Sequence, residues 1–167
     1  IHILDVGTGT GAICLALLSE CPDASGIGSD ISADALRTAQ SNAESNGLGD
    51  RFETVQSSWF ENIQGSFHAI VSNPPYIASS VIHGLAPEVT KFDPAAALDG
   101  GEDGLEAYKA IAKDAARVMQ PGGVIGLEIG YDQRNDVTDI FEAKGFRFLE
   151  SAKDYGQNDR VLVFALN

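Results

Sequence analysis

Ile1-His2-Ile3-Leu4-Asp5-Val6-Gly7-Thr8-Gly9-Thr10-Gly11 opens the chain with an apolar run that carries one buried-looking acid and ends in three glycines at alternate positions. A short apolar run bounded by glycine reads as a buried strand, and the residues that follow it have helical spacing. Strand, glycine loop and helix in that order form the first half of a βα unit. The missing side chains of Gly7, Gly9 and Gly11 permit a tight turn and close backbone approach to a ligand, where free N–H groups of a helix N-terminus can meet a carboxylate or phosphate. A plain strand-to-helix turn is the bland alternative, and the rest of the chain must decide between them.

Working outward, short apolar runs keep alternating with longer helical segments, the pattern of an α/β chain feeding a parallel sheet. The spacing predicts a strand at 1–6, then a helix at 10–20 with Ala12, Leu15, Ala16 and Leu18 available for packing, stopped by Cys21-Pro22-Asp23. A strand at 25–29 leads to a helix at 33–45 ended by Asn46-Gly47, and a third strand follows at 52–56. Strand four, 67–72, runs into Asn73-Pro74-Pro75-Tyr76, where the prolines end ladder bonding and bias Asn73 toward extended backbone. The stretch 77–104 reads as irregular, and a loop that long is the candidate for a substrate-facing cover. A helix at 105–119, a stop at Gln120-Pro121-Gly122-Gly123, a strand at 124–129 and a helix at 135–144 ending at Gly145 complete the alternation. The last two strands, 146–151 and 160–166, have only a polar loop between them. Without a crossover they must pair antiparallel, so a parallel sheet of five or six strands is expected to end in a reversed C-terminal edge strand.

The 167 residues, 44% hydrophobic and 21% charged, suffice for one domain with a real core and exclude collagen, coiled coil and disorder. A net charge of −13 repels phosphate backbones, so direct nucleic-acid binding is not expected of this domain. No apolar run approaches the roughly 20 residues of a membrane span, and no membrane partner is expected. Cys14 and Cys21 on one helix would lie about 10 Å apart, too far to bridge, and read as reduced thiols of a cytoplasmic protein. No Cys or His stands at a zinc-ligand spacing, so no metal is expected. The first residue is not Met and already belongs to a strand, so the expectation is a chain that begins inside a longer protein, 1–167 being one domain of it.

Gly7-x-Gly9-x-x-Ala12 also satisfies the relaxed dinucleotide pattern, so neighbouring acids carry the distinction. Asp30 ends the second strand, where it can accept hydrogen bonds from ribose hydroxyls under either reading, or simply cap the next helix. Asp5 is less neutral: an acid two residues before the first glycine suits a cationic group such as the amino or sulfonium end of S-adenosylmethionine. The aromatic residues of Ser57-Ser58-Trp59-Phe60 follow the third strand, at a crevice where an adenine can stack, although Phe60 also suits the core.

Strand four ends where open α/β sheets place their ligands. An amide nitrogen is a poor nucleophile because its lone pair is delocalised into the carbonyl, so a catalyst for its alkylation must hold both N–H groups with acceptors and aim the nitrogen. The Asn73 side-chain oxygen and the Pro74 carbonyl suit that role, with Pro75 stiffening the turn and Tyr76 packing on the flat group; positioning is then the source of rate.

At these residues the chain resembles a known family. The Asp5-to-Gly11 loop, Ser72-Asn73-Pro74-Pro75-Tyr76-Ile77, Ala97-Leu98-Asp99-Gly100-Gly101-Glu102-Asp103-Gly104-Leu105, Glu128-Ile129-Gly130 and Asp154-Tyr155-Gly156 with Arg160 look like those of peptide chain release factor N5-glutamine methyltransferases, the HemK-like family. The resemblance spans essentially the whole chain. It implies a class I, Rossmann-like, S-adenosylmethionine-dependent methyltransferase that methylates the side-chain amide of a glutamine in a Gly-Gly-Gln loop of release factors, leaving S-adenosylhomocysteine. Carried onto this sequence, it assigns Asp5, Gly7, Thr8, Gly9, Thr10, Gly11, Asp30, Ser58, Trp59 and Asn73 to the cofactor, and Asn73, Pro74, Pro75 and Tyr76 to the glutamine, with Asn73, Pro74 and Tyr76 catalytic. It also implies a small helical domain upstream that grips the release factor, to which nothing in this sequence corresponds.

Two positions depart from the family pattern. Ser58 stands where an Asp commonly precedes the aromatic, so that a hydroxyl or backbone carbonyl takes the place of a carboxylate near the adenine. Phe92-Asp93-Pro94 replaces aromatic-Glu-Pro. His2, His68 and His83 match no catalytic pattern. Asn-Pro-Pro-Tyr is shared with methyltransferases acting on amino groups of DNA or RNA bases, the alternative enzyme reading, which the charge opposes. A non-catalytic S-adenosylmethionine-binding module is the second alternative.

Overall fold

The computed structural model describes residues 1–82 and 98–166. Its strands are β1 (His2–Val6), β2 (Ser25–Asp30), β3 (Phe52–Gln56), β4 (Phe67–Ser72), β5 (Met119–Glu128), β6 (Phe146–Lys153) and β7 (Asp159–Leu166). Between them lie helices α1 (Ala12–Glu20), α2 (Ala33–Ser45), α3 (Ser79–Ile82), α4 (Glu106–Val118) and α5 (Arg134–Glu142). The strands form one seven-stranded sheet in the order β3-β2-β1-β4-β5-β7-β6. Pairings from β3 to β5 are parallel, and β7 runs antiparallel to both β5 and β6.

This is the mixed, mostly parallel sheet with antiparallel C-terminal strands that the sequence predicts, with one refinement. The reversed strand, β7, sits one place inside the edge, and β6 is outermost. Its alternation of Leu162 and Phe164 toward the core gives β7 the apolar content of an interior strand, whereas Glu150, Ala152 and Lys153 of β6 are exposed.

Both faces of the sheet are covered. Along β1, Ile3 packs with Cys14, Leu15 and Leu18 of α1 and Ala39 and Ala43 of α2. Leu4 and Val6 face the other way, into a core with Tyr108, Ile111, Ala115 and Val118 of α4 and Val137 and Phe141 of α5. The period of two along the strand thus joins two helical layers. Helix α1 begins at Ala12, later than expected, because the left-handed turn extends through Gly11 (φ 83°). Its buried stripe is therefore Cys14, Leu15 and Leu18, while Ala12 and Ala16 stay exposed.

Gln120-Pro121-Gly122-Gly123 does not separate helix from strand as expected. Strand β5 starts at Met119 and passes through these residues, which are absorbed as a register shift between Phe67↔Met119 and Ala69↔Val124. The two described ends of the stretch 77–104 are also more ordered than expected. Ile77 bridges Asp99 in parallel, the Ile77 N–H donates to Leu98 O (3.1 Å) and the Gly100 N–H to Ile77 O (2.8 Å), so the segment leaves and returns at one place. The rest of the expected cover, with His83, Phe92-Asp93-Pro94 and Ala97, lies outside the described residues. His2 and His68 make packing contacts: the His2 N–H donates to His68 Nδ1 (3.0 Å), and the His2 ring lies on Phe67.

Candidate active site

Strand order reverses between β1 and β4, so the crevice beyond their C-terminal ends is flanked by the glycine loop on one side and the Asn73–Tyr76 turn on the other. Ser72 Oγ donates to Val6 O (2.6 Å), a buried tie between the two strand ends. The Thr8 N–H donates to Ser29 O (2.8 Å) and the Ser57 N–H to Asp30 O (3.0 Å), joining the ends of β1, β2 and β3 into one rim.

Asp5 lies at the floor of the glycine loop and is 1% exposed. Its Oδ2 accepts from the Thr8 hydroxyl (2.8 Å) and the Cys14 N–H (3.2 Å), while Oδ1 is buried with no partner among the described residues. Burial pushes the Asp5 carboxyl up to about 6, against the opposing effect of the Thr8 and Cys14 hydrogen bonds. An orphaned buried carboxylate oxygen is costly and marks a place where a donor or cation belongs. Thr8 therefore supports Asp5, its side chain turned inward, whereas Thr10 is exposed.

Three glycines have positive φ, but they do different work. A Cβ on Gly7 (φ 70°) or Gly9 (φ 55°) would meet nothing within 4 Å, so the space beside both is open. A Cβ on Gly11 would press Ala39 and Leu15 at 3.2 Å, so this glycine lets α1 and α2 approach. Asp30 ties the loop to the end of β2: Oδ2 accepts from the Gly9 N–H (3.0 Å) and Oδ1 from the Ser32 N–H (2.9 Å). The helix-capping alternative falls to Ser32 instead, whose Oγ accepts from the Ala35 N–H (3.3 Å). Asp30 stays half-buried, with lone pairs left for hydroxyl donors. Trp59 is half-buried and left-handed (φ 48°), a conformation a bulky residue rarely adopts. Ser57 Oγ holds it, donating to Trp59 O (3.0 Å) and accepting from the Asn62 N–H (3.1 Å). Phe60, by contrast, is core. Ser58 beside it is half-buried.

Across the crevice Asn73 is exposed, Pro74 buried, and Pro75 and Tyr76 half-buried. Among the described residues no hydrogen bond uses the Asn73 side chain or the Pro74 carbonyl, so two acceptors stand uncommitted. Tyr76 is held at both ends. Its carbonyl accepts from Gln133 Nε2 (2.9 Å), and Arg160 Nη1 lies 3.5 Å from its hydroxyl. Arg160 also donates to Ile129 O (3.1 Å) and to Asp154 Oδ2 (3.1 Å). The Asn158 N–H and then Arg160 hold the Asp154 carboxyl below the usual carboxylate range. Sequence reasoning quoted Arg160 and Asp154 without a role and missed Gln133. The signal available was a polar residue just before a helix, which is too common to single it out.

Residues 1–90 match the family model described as methyltransferase small domain. A release factor glutamine methyltransferase of Agrobacterium fabrum is 63% identical over 98% of the chain and 56% of its own length. One from Caulobacter vibrioides is 43% identical over 99% and 57%. The chain thus spans about half the length of the curated relatives it matches. Among solved structures, a ribosomal protein L11 methylase of Lactobacillus delbrueckii subsp. bulgaricus superposes with a TM-score of 0.72 at 17% identity, over 99% of this chain and 70% of that one. The shared fold is the class I methyltransferase fold.

Proposed function

The chain belongs to the methyltransferase small domain family, and from that premise we propose that residues 1–167 form a catalytic domain that methylates the side-chain amide nitrogen of a glutamine in the Gly-Gly-Gln loop of peptide chain release factors. The cofactor is S-adenosylmethionine, which supplies an electrophilic methyl group on a sulfonium and leaves as the neutral thioether S-adenosylhomocysteine. The site residues fit it: the orphaned Asp5 Oδ1 suits its cationic end, and the open faces of Gly7 and Gly9 give room for it.

The observation that carries the reading is the pair of acceptors at Asn73 and Pro74 that no described residue engages, at the end of the strand tied to the glycine-loop strand by Ser72 Oγ to Val6 O. The Asn73 side-chain oxygen and the Pro74 carbonyl accept the two N–H groups of the glutamine amide. That fixes the amide plane and turns the nitrogen lone pair toward the cofactor side of the crevice; on gaining the methyl group the nitrogen would release one of its two protons to water. Tyr76 packs against the amide and limits its rotation. Such orientation is worth on the order of several kcal/mol of barrier, without any strong base. Asp30 takes the ribose, and Ser58 and Trp59 border the adenine. Relatives named release factor glutamine methyltransferases support the substrate. Among the described residues no helix is long and apolar enough to cross a membrane, and a cytoplasmic location accompanies the substrate.

The test is incubation with S-adenosylmethionine and, separately, a release factor, DNA and ribosomal RNA, followed by mass spectrometry. The mass of one added CH2 on the loop glutamine supports the proposal. Methyl on a nucleic-acid base would transfer the site to the base-amino reading, and cofactor binding with no methyl on any of them would leave a binding module.

A further inference from the structure

Gln133 is a buried polar side chain in which every hydrogen-bonding group is used on three separate segments. Its Oε1 accepts from the Gly130 N–H (2.9 Å), and its Nε2 donates to Tyr76 O (2.9 Å) and Gly104 O (3.2 Å). The orientation of the amide is unambiguous, because a flip would set its oxygen against two carbonyl oxygens. The Tyr108 hydroxyl donates to Glu128 O (2.9 Å) and lies 3.4 Å from Gln133 Oε1, closing the network on the α4 side. Burial pushes the Tyr108 phenol up and keeps it a donor.

Three glycines clear the space for this arrangement. A Cβ on Gly104 would stand 2.5 Å from Tyr76 O and 2.9 Å from Gln133 Nε2. On Gly130 it would stand 2.8 Å from Gln133 Oε1, and on Gly100 2.9 Å from Tyr76 Cα. Gly100 and Gly104 thus make room for the Tyr76 backbone and Gly130 for the Gln133 amide that holds it, whereas Gly101 makes room for Glu106 instead. Arg160 holds the other end of the same tyrosine.

We infer that Gln133 is a positioning residue for methyl transfer: by tying Tyr76 O to Gly104 and Gly130 it fixes the Asn73–Tyr76 turn at the distance and angle the acceptor amide requires. This rests on the amide-transfer reading. Gln133 has no hydrogen bond to Asn73 or to the Gly7–Gly11 loop, so its loss shifts the turn while leaving the contacts of Asp5, Asp30 and the glycine loop in place. A shift on the order of 1 Å is enough to lower the rate about a hundredfold.

Two substitutions test this in the full chain, with release factor and S-adenosylmethionine as substrates. Gln133→Ala lowers kcat by about tenfold to a hundredfold while the cofactor Kd stays within about twofold. Gln133→Glu is isosteric and donates only when protonated, and its neighbours disfavour the charged form. Its activity relative to the unaltered chain at the same pH therefore recovers as pH falls, which Gln133→Ala does not show. Hydrogen exchange at the Ile77 and Gly100 amides, which pair across the base of the stretch, reads the clamp without any turnover and is faster in Gln133→Ala.

A kcat within about threefold of the unaltered chain overturns the inference, as does a Kd that weakens in proportion to rate. If Gln133→Ala does not fold, the pH profile of Gln133→Glu decides alone, a flat ratio contradicting the inference. If the unaltered chain methylates no glutamine, the proposed function fails, while exchange at Ile77 and Gly100 still reports whether Gln133 fixes the turn.

Discussion

Asp5, Gly7, Gly9 and Asp30 come from one βαβ unit and reach one another through contacts such as Asp30 to the Gly9 N–H and Asp5 to the Thr8 hydroxyl. Asn73–Tyr76 is held instead from behind, by Gln133 beyond β5 and Arg160 on β7, segments far away in sequence. The first half of the crevice is an open loop made by omitting side chains, over a carboxylate oxygen that no described residue engages. The second is a turn with two acceptors that no described residue engages and with Tyr76 held by distant segments. The difference teaches that a site for a bound cofactor can be local, whereas a site that must aim a weak nucleophile draws on the rigidity of the whole sheet.

If the halves divide the work in this way, substitutions in them separate rate from affinity. The largest effect is expected at Asn73→Ala, which lowers the methyl-transfer rate by about a hundredfold or more with cofactor affinity nearly unchanged. Equal losses in both, measured by single-turnover transfer and titration calorimetry, would erase the distinction between the halves. Asp30→Ala acts in the opposite sense. It weakens cofactor binding by about 1.5 to 3 kcal/mol, the worth of a charged hydrogen bond, and leaves the rate at saturating cofactor largely intact. An unchanged Kd would remove Asp30 from the ribose.

Asp5 sharpens the comparison through pH. Its folded-state carboxyl lies at about 6 against 3.8 when unperturbed. The folded protein therefore holds this proton more tightly than the unfolded one. The resulting stability is present in full below about pH 4 and is lost as pH rises through about 6, on the order of 3 kcal/mol. A cationic ligand beside Asp5 favours the ionised form, so cofactor affinity should rise across the same window. Asp5→Asn is expected to flatten both profiles, strengthening the ligand-free protein above pH 6 while weakening its hold on the cofactor. Chemical denaturation and calorimetry at several pH values check the two together; a Kd that keeps its pH dependence in Asp5→Asn would assign the titration to another group.

The same contrast explains what was legible in the sequence. The strand, glycine loop and acids of the first half are contiguous, with spacings set by the pitch of a strand and the start of a helix. Asn73 to Tyr76 was legible because two prolines at a strand end are incompatible with a continuing ladder. Gln133 was not, because its meaning depends on Tyr76, Gly104 and Gly130 arriving at one point, which only the strand order arranges. Two local features also escaped. Ala12 and Ala16 read as packing residues, but the left-handed Gly11 delays α1 and turns them outward. Gln120 to Gly123 read as a stop, yet β5 absorbs them as a register shift because β4 offers pairing on both sides of it.

The division of labour between the halves is tested most directly by a double-substitution cycle on kcat/KM for release-factor methylation, using Asn73→Ala, Asp30→Ala and the pair. If cofactor retention and amide aiming are separate tasks, the two effects add to within about 0.5 kcal/mol. A coupling above about 1 kcal/mol would mean that Asn73 and Asp30 act on one shared contact, contradicting the account.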